Sequence, residues 1–147
     1  MQNMTRAGRF NPIVVIGLIS IAMIVVTLLF TRDQPTQAAN RFMIALGRGQ
    51  VDELMELSTF EGSADQIRKQ WEYATQVAGP HYRFVYRILE YTPQGDNQAA
   101  VRIGLTRNVF GDAPYEELYD LPLRKVDGKW KVEVRNLARD MYPALPR

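Results

Sequence analysis

The sequence has no cysteine and a single histidine, His81. The first absence excludes a disulfide framework, a thiolate zinc site, a cysteine nucleophile, a thioether-linked haem and a lipid anchor on cysteine. The second excludes any multi-histidine metal site. No GxSxG, HExxH, Walker or GxGxxG pattern occurs; Gly47-x-Gly49 is too short to be a phosphate loop. The chain also lacks a real excess of positive charge. Its formal +2 comes from Arg6, Arg9 and Arg32 around one apolar stretch; residues 33–147 carry 15 basic and 16 acidic side chains, a net of about −1. A protein that binds phosphate backbones concentrates basic residues, so no nucleic-acid partner is expected.

What is present divides in two. Ile13 to Phe30 is an uncharged run of 18 residues. As a helix it measures about 27 Å, close to the roughly 30 Å of a bilayer core. A lone strand would leave its backbone groups unpaired in hydrocarbon. The run is therefore expected to be a retained transmembrane helix. The alternative is a cleaved signal peptide, whose apolar core runs about 7–15 residues, with a weak small-residue site at Thr36-Gln37-Ala38. The tail before the run holds Arg6 and Arg9 and no acid, which favours a cytoplasmic N-terminus and a domain on the outer side. Gly17, Ser20, Ile24 and Thr27 share one helix face, read either as a packing surface for another membrane helix or as a lipid-facing stripe.

The remainder reads as an α+β domain. Ala39, Phe42, Met43 and Leu46 have helical spacing, stopped by Gly47 and Gly49. Val51, Leu54 and Met55 mark a second, short helix. Ser63-x-x-Gln66 fits a capping box ahead of a third, with Ile67, Trp71, Ala74 and Ala78 on one face and Gly79-Pro80 at its end. The period then changes. Tyr82, Phe84, Tyr86 and Ile88 share one face of a strand. Val101, Ile103 and Leu105 line a second; Tyr119, Leu121 and Leu123 a third, in which Pro122 implies an edge or a bulge. Asp127-Gly128 is a hairpin turn into a fourth, carrying Trp130 and Val132. The expected fold class is thus α+β: one N-terminal transmembrane helix, then three helices on a curved antiparallel sheet of about four strands. The expected boundaries are a polar tail at 1–12, the membrane helix at 13–31, a linker at 32–36, the domain at 37–140 and a tail at 141–147.

Two segments carry a resemblance. Ala39-Asn-Arg-Phe-Met-Ile-Ala-Leu-Gly-Arg-Gly-Gln-Val-Asp-Glu-Leu54 resembles the opening helix, glycine turn and second helix of the nuclear-transport-factor-2-like superfamily of cone-shaped α+β domains. Val126-Asp-Gly-Lys-Trp-Lys-Val132 resembles its closing hairpin. The match spans roughly residues 35–136. It implies a fold, not an activity. The superfamily includes isomerases and dehydratases that use a pocket Asp, His or Tyr, but no motif here places those residues. One span ahead of such a domain is similar in layout to membrane-anchored assembly proteins of type IV secretion. It is also similar to small accessory subunits of bacterial electron-transfer complexes such as alternative complex III.

Candidate functional residues are few. Tyr82, Tyr86, Tyr115 and Tyr119 crowd two strands; they either fill the core or line a pocket or partner surface. Arg124, Lys125, Lys129, Lys131, Arg135 and Arg139 make a basic bias around the last hairpin, read as a solvated face or as a contact for anionic headgroups or an acidic partner; Arg124, Lys129, Lys131 and Arg135 are the candidates for such a surface. His81 has no neighbouring acid in a recognisable dyad, and the acid pairs Asp52-Glu53 and Glu116-Glu117 point apart. No catalytic residue, cofactor or metal ligand is assigned. The expected function is a non-catalytic, single-pass accessory or assembly subunit of a larger bacterial membrane complex, with other membrane-protein subunits and the lipid bilayer as partners. The alternatives are a tethered sensor that binds a small-molecule ligand, and an isomerase or hydrolase using the cone. A filled cone favours the first; an empty one with a buried carboxylate favours the last.

Overall fold

The computed structural model describes the backbone of residues 12–31 and 34–147, with side chains at 14–26 and 34–147. Two compact units result, residues 1–32 and 33–147.

The first unit contributes helix α1, Pro12–Thr31. It corrects the expectation of a membrane span: among the described residues, no helix is long and apolar enough to cross a membrane. The single-pass topology and the placement of the domain on the outer side of a membrane lose their basis with it.

The second unit is the α+β domain. Its helices are α2 (Pro35–Arg48), α3 (Val51–Leu57) and α4 (Ala64–Glu72), and its strands are β1 (Ser58–Thr59), β2 (Phe84–Pro93), β3 (Gln98–Arg107), β4 (Tyr115–Val126) and β5 (Lys129–Glu133). The described residues thus hold four α-helices and one five-stranded sheet, ordered β1-β5-β4-β3-β2. The four expected strands form the antiparallel part. The fifth, β1, is two residues paired parallel to β5 through Ser58↔Val132 and Thr59↔Glu133. A two-residue strand leaves no periodicity to read.

Helix ends follow from local chemistry. α2 stops at Gly49, whose φ of 67° lets its N–H and that of Gln50 reach back to Leu46 O and Ala45 O. Ser63 stands at the N-cap of α4, but its side chain makes no capping bond, so the expected capping box does not form. α4 continues as a π-helical turn, Tyr73–Ala78, in which Thr75 Oγ1 donates to Trp71 O at 2.8 Å. Asp127 and Gly128 both have positive φ, as the two-residue turn requires. Pro122 lies one position beyond the last β4–β5 pair, Leu123↔Val132, so β4 is locally an edge where the missing N–H would fall.

The helices cover one face of the sheet. Phe42, Met43 and Leu46 of α2, Leu54 of α3, and Ile67 and Trp71 of α4 meet Ile103, Leu105, Leu121 and Leu123 of the sheet, all fully buried. Trp71 packs edge-on against Phe42 at 6.0 Å between ring centres. Met141 and Tyr142, beyond the expected domain boundary, belong to the same core. The opposite face carries ion pairs: Arg87 grips Glu116 at 2.6 and 2.8 Å, and Arg102 grips Asp120 at 2.8 and 3.1 Å. The first pair closes over Gly104, where a Cβ would collide with the Glu116 carboxylate.

The two glycines at the end of α2 should respond oppositely to alanine. Gly47 is helical and a Cβ there would make an ordinary contact with Phe84. Gly47→Ala should therefore stabilise the protein by about 0.5–1 kcal/mol. Gly49 has left-handed φ, so Gly49→Ala should destabilise it by about 1 kcal/mol or more. Urea-unfolding midpoints of the two variants against the parent chain check both signs.

Candidate functional site

The side chains just named are buried in the space between helices and sheet. One opening lies at the β1–β5 end. It is a cavity of about 510 Å³ bounded by Ser58 and Thr59 of β1, Phe60 and Glu61, Ile67 and Trp71 of α4, the turn Val134–Leu137, Arg139, and residues 144–147. A volume of a few hundred Å³ is that of small-molecule sites.

Each wall arises from a different element. The i, i+4 spacing of Ile67 and Trp71 puts both on the buried face of α4. A short 3-10 turn, Val134–Asn136, ends β5 and swings Leu137 inward, where it is buried. The last wall is the C-terminal segment, whose Arg147 backbone N–H donates to Gln70 Oε1 at 2.8 Å. Ala144 in that segment has a φ of 56°, a left-handed conformation unusual for a residue with a Cβ.

The polar inventory of the cavity is short. Trp71 is 0% exposed, yet its indole Nε1–H has no acceptor, a deficit worth about 1–3 kcal/mol. The buried Ser58 hydroxyl donates to Leu54 O and keeps its lone pairs. At the rim stand Arg135, Arg139 and Arg147, with Glu61 as the one acidic side chain. Arg135 is ion-paired with Glu61; Arg139 has no partner among the described residues.

A second cluster pins the C-terminal segment from the other side. Tyr82 OH donates to Met141 O at 2.8 Å, and its ring meets Tyr142 edge-on at 5.3 Å. The Arg107 guanidinium lies 4.9 Å from the Tyr82 ring centre, donates to Tyr119 OH at 2.8 Å and to Asp140 O, and pairs with Glu117 at 2.7 Å. Tyr119 OH in turn donates to Glu117 Oε2 at 2.9 Å. Burial pushes the Tyr82 phenol up to about 12, against the opposing pull of Arg107. Burial and the bond to Glu117 push Tyr119 up as well. Both phenols are thereby held as neutral donors.

The residues singled out from the sequence do not form one site. Tyr82 and Tyr119 meet in the Arg107 cluster. Tyr86 faces the helices, its OH donating to Asn40 Oδ1 at 2.8 Å, whereas Tyr115 is exposed at the start of β4. Arg124 pairs with Glu133 at 2.6 Å; Lys129 lies 3.8 Å from Glu56; Lys131 stands opposite Arg124 in register. Of the basic group, Arg135 alone borders the cavity. His81 is exposed after its 3-10 turn. On α1, Gly17, Ser20 and Ile24 are exposed, and Ser20 Oγ donates to Ile16 O at 2.9 Å; the Thr27 side chain lies outside the described residues. Trp71, Ser58, Arg139 and Arg147 were not chosen as site residues. The first reads as helix core, and the last two fall in or near a stretch without periodicity.

No family model and no curated protein sequence matches the chain. Solved structures do. A Thiobacillus denitrificans protein named for a calcium/calmodulin-dependent protein kinase type II association domain matches with a TM-score of 0.51 at 14% identity, over 68% of this chain and 90% of its own. A ketosteroid isomerase-like protein from Erwinia carotovora atroseptica gives 0.48 at 18% identity, over 65% of this chain and 85% of its own. An NTF-2 like protein of unknown function from Shewanella oneidensis gives 0.44 at 18% identity, over 66% and 89%. The Thiobacillus protein carries the likeness, which at that identity is one of fold alone. The fold half of the superfamily resemblance read from the sequence stands in the helix-then-meander architecture; the membrane anchor attached to it does not.

The phenol cluster sets an alkaline limit. Below pH of about 10 Tyr82 is neutral in both folded and unfolded chains. From there towards about 12 the unfolded chain ionises and the folded one does not, so this contribution to stability is lost as pH rises. Urea midpoints at pH 9, 10 and 11 should fall more steeply for the parent chain than for Tyr82→Phe.

Proposed function

We propose that residues 33–147 form a non-catalytic binding domain that holds a small molecule in the cavity between α4, the β5 end and the C-terminal segment. The observation that carries this reading is the cavity itself, about 510 Å³, whose lining joins apolar side chains of α4, the β5 end and residues 144–147 to three arginines. A catalytic reading finds less support: among the described residues the buried polar side chains are Ser58 and Thr75, and neither is a carboxylate or histidine. The fold neighbours bring no support for a membrane-complex subunit.

The test is titration with the fluorescent amphipathic anion 1-anilinonaphthalene-8-sulfonate. It should bind the parent chain one-to-one. Leu145→Trp, which fills the cavity from its half-buried wall, should weaken binding about tenfold or more. Undiminished binding by that variant would place the probe elsewhere and remove the reading.

A second reading, a protein partner on the outer sheet face, is supported by one observation. Leu118 is 60% exposed and Val85 53% exposed there, beside the Arg87–Glu116 pair. Leu118→Glu should lower the assembly mass measured by light scattering without moving the urea midpoint. An unchanged mass counts against this face.

A further inference from the structure

We propose that the cavity is built for an amphipathic monocarboxylate, a molecule with an apolar body and one carboxylate. This rests on the binding reading above and adds the ligand's chemical class. The walls supply the first half of the argument. Phe60 and Leu145 present an aromatic ring and hydrocarbon above the buried Ile67, Trp71, Val134 and Leu137, and an apolar body would gain roughly 25 cal/mol for each Å² of its own surface removed from water there.

The rim supplies the second half. Arg139 and Arg147 border the opening, and the cavity's one acidic side chain, Glu61, is already engaged by Arg135. Two guanidiniums without side-chain carboxylate partners among the described residues, beside an apolar cavity, present planar forks of donors, the geometry that a carboxylate accepts in bidentate fashion. Charge selects the sign of the ligand, since a cation would meet like charges on leaving water. The walls select its magnitude. A multiply charged group costs far more to desolvate beside hydrocarbon than a single carboxylate does.

Donor bookkeeping agrees. The rim side chain without a partner among the described residues, the Arg139 guanidinium, is donor-only. The Ser58 hydroxyl spends its proton on Leu54 O. A matching ligand must bring acceptors, and an ionised carboxylate is acceptor-only, with about four lone-pair sites.

The experiment compares octanoate with octan-1-ol, equal in chain length and different in charge. The sequence has two tryptophans, so Trp130→Phe in the full chain leaves Trp71 as the single emitter. Calorimetry on the unsubstituted chain repeats the measurement with no substitution at all. Octanoate should shift Trp71 emission and bind about tenfold tighter than the alcohol. Arg139→Gln with Arg147→Gln, both at exposed positions, should reduce that advantage to about twofold or less while leaving the alcohol's affinity unchanged. If both ligands bind equally, the carboxylate class is wrong and the binding cavity stands. If octanoate keeps its advantage in the double variant, the arginine rim is not the anion site and the proposal falls. If neither ligand binds up to about 1 mM, a free energy near −4 kcal/mol, and the sulfonate probe fails too, the binding reading falls with it.

Discussion

The packing of one indole organises the domain. Trp71 sits at the seam where α4, α2 and the sheet meet, its edge against Phe42 and no part of it in contact with solvent. The largest side chain in the core thereby fixes how α4 lies across the sheet. The same residue forms a wall of the cavity, and its N–H finds no acceptor. A leucine would fill much of the space without that deficit. An unpaired buried donor is tolerated where the packing gain exceeds its cost, or where a further molecule satisfies it.

The cavity exists because the chain beyond the sheet is held down. Arg107 is the hub: it reaches the ring of Tyr82, the hydroxyl of Tyr119, the carboxylate of Glu117 and the carbonyl of Asp140. Its contacts span β3, β4 and the segment after Leu137, so the C-terminal stretch is tied to the sheet at Asp140 and Met141 by a charge-assisted network. Met141 and Tyr142 then drop into the core, and residues 144–147 return over α4 to close the cavity. The outer face is organised by a different balance. Arg87–Glu116 and Arg102–Asp120 lie across strands in bidentate pairs, and each pair draws its carboxylate below the ordinary range through the guanidinium hydrogen bond. Being solvent-exposed, they set register and keep the face polar more than they add stability.

Helices with a repeating apolar face were legible, as were the strands with clean alternation. The 3.6-residue spacing of Phe42, Met43 and Leu46 and the two-residue spacing of Val101, Ile103 and Leu105 each demand one buried face. The glycine stop after α2 and the Asp127-Gly128 turn were legible because positive φ leaves a residue-level mark. The apolar run at residues 13–30 misled: hydropathy marks a helix, found as α1, but does not establish a span. β1 was illegible because two residues have no period, and its parallel pairing with β5 joins positions more than seventy residues apart.

The cavity shows where the division falls. Local order determined that Ile67 and Trp71 share a face, that β5 ends near Val134, and that the chain closes on an aperiodic, proline-bearing stretch. Each of those is set by neighbours within a turn or a strand. That Ser58, Trp71, Leu137, Arg139 and Arg147 surround one space was decided only by the tertiary structure, because their proximity depends on the parallel β1–β5 pair and on Arg107 holding a segment over thirty residues away. Sequence spacing encodes which face a side chain occupies; which faces meet is fixed by long-range pairing and by the burial of side chains that no local pattern connects.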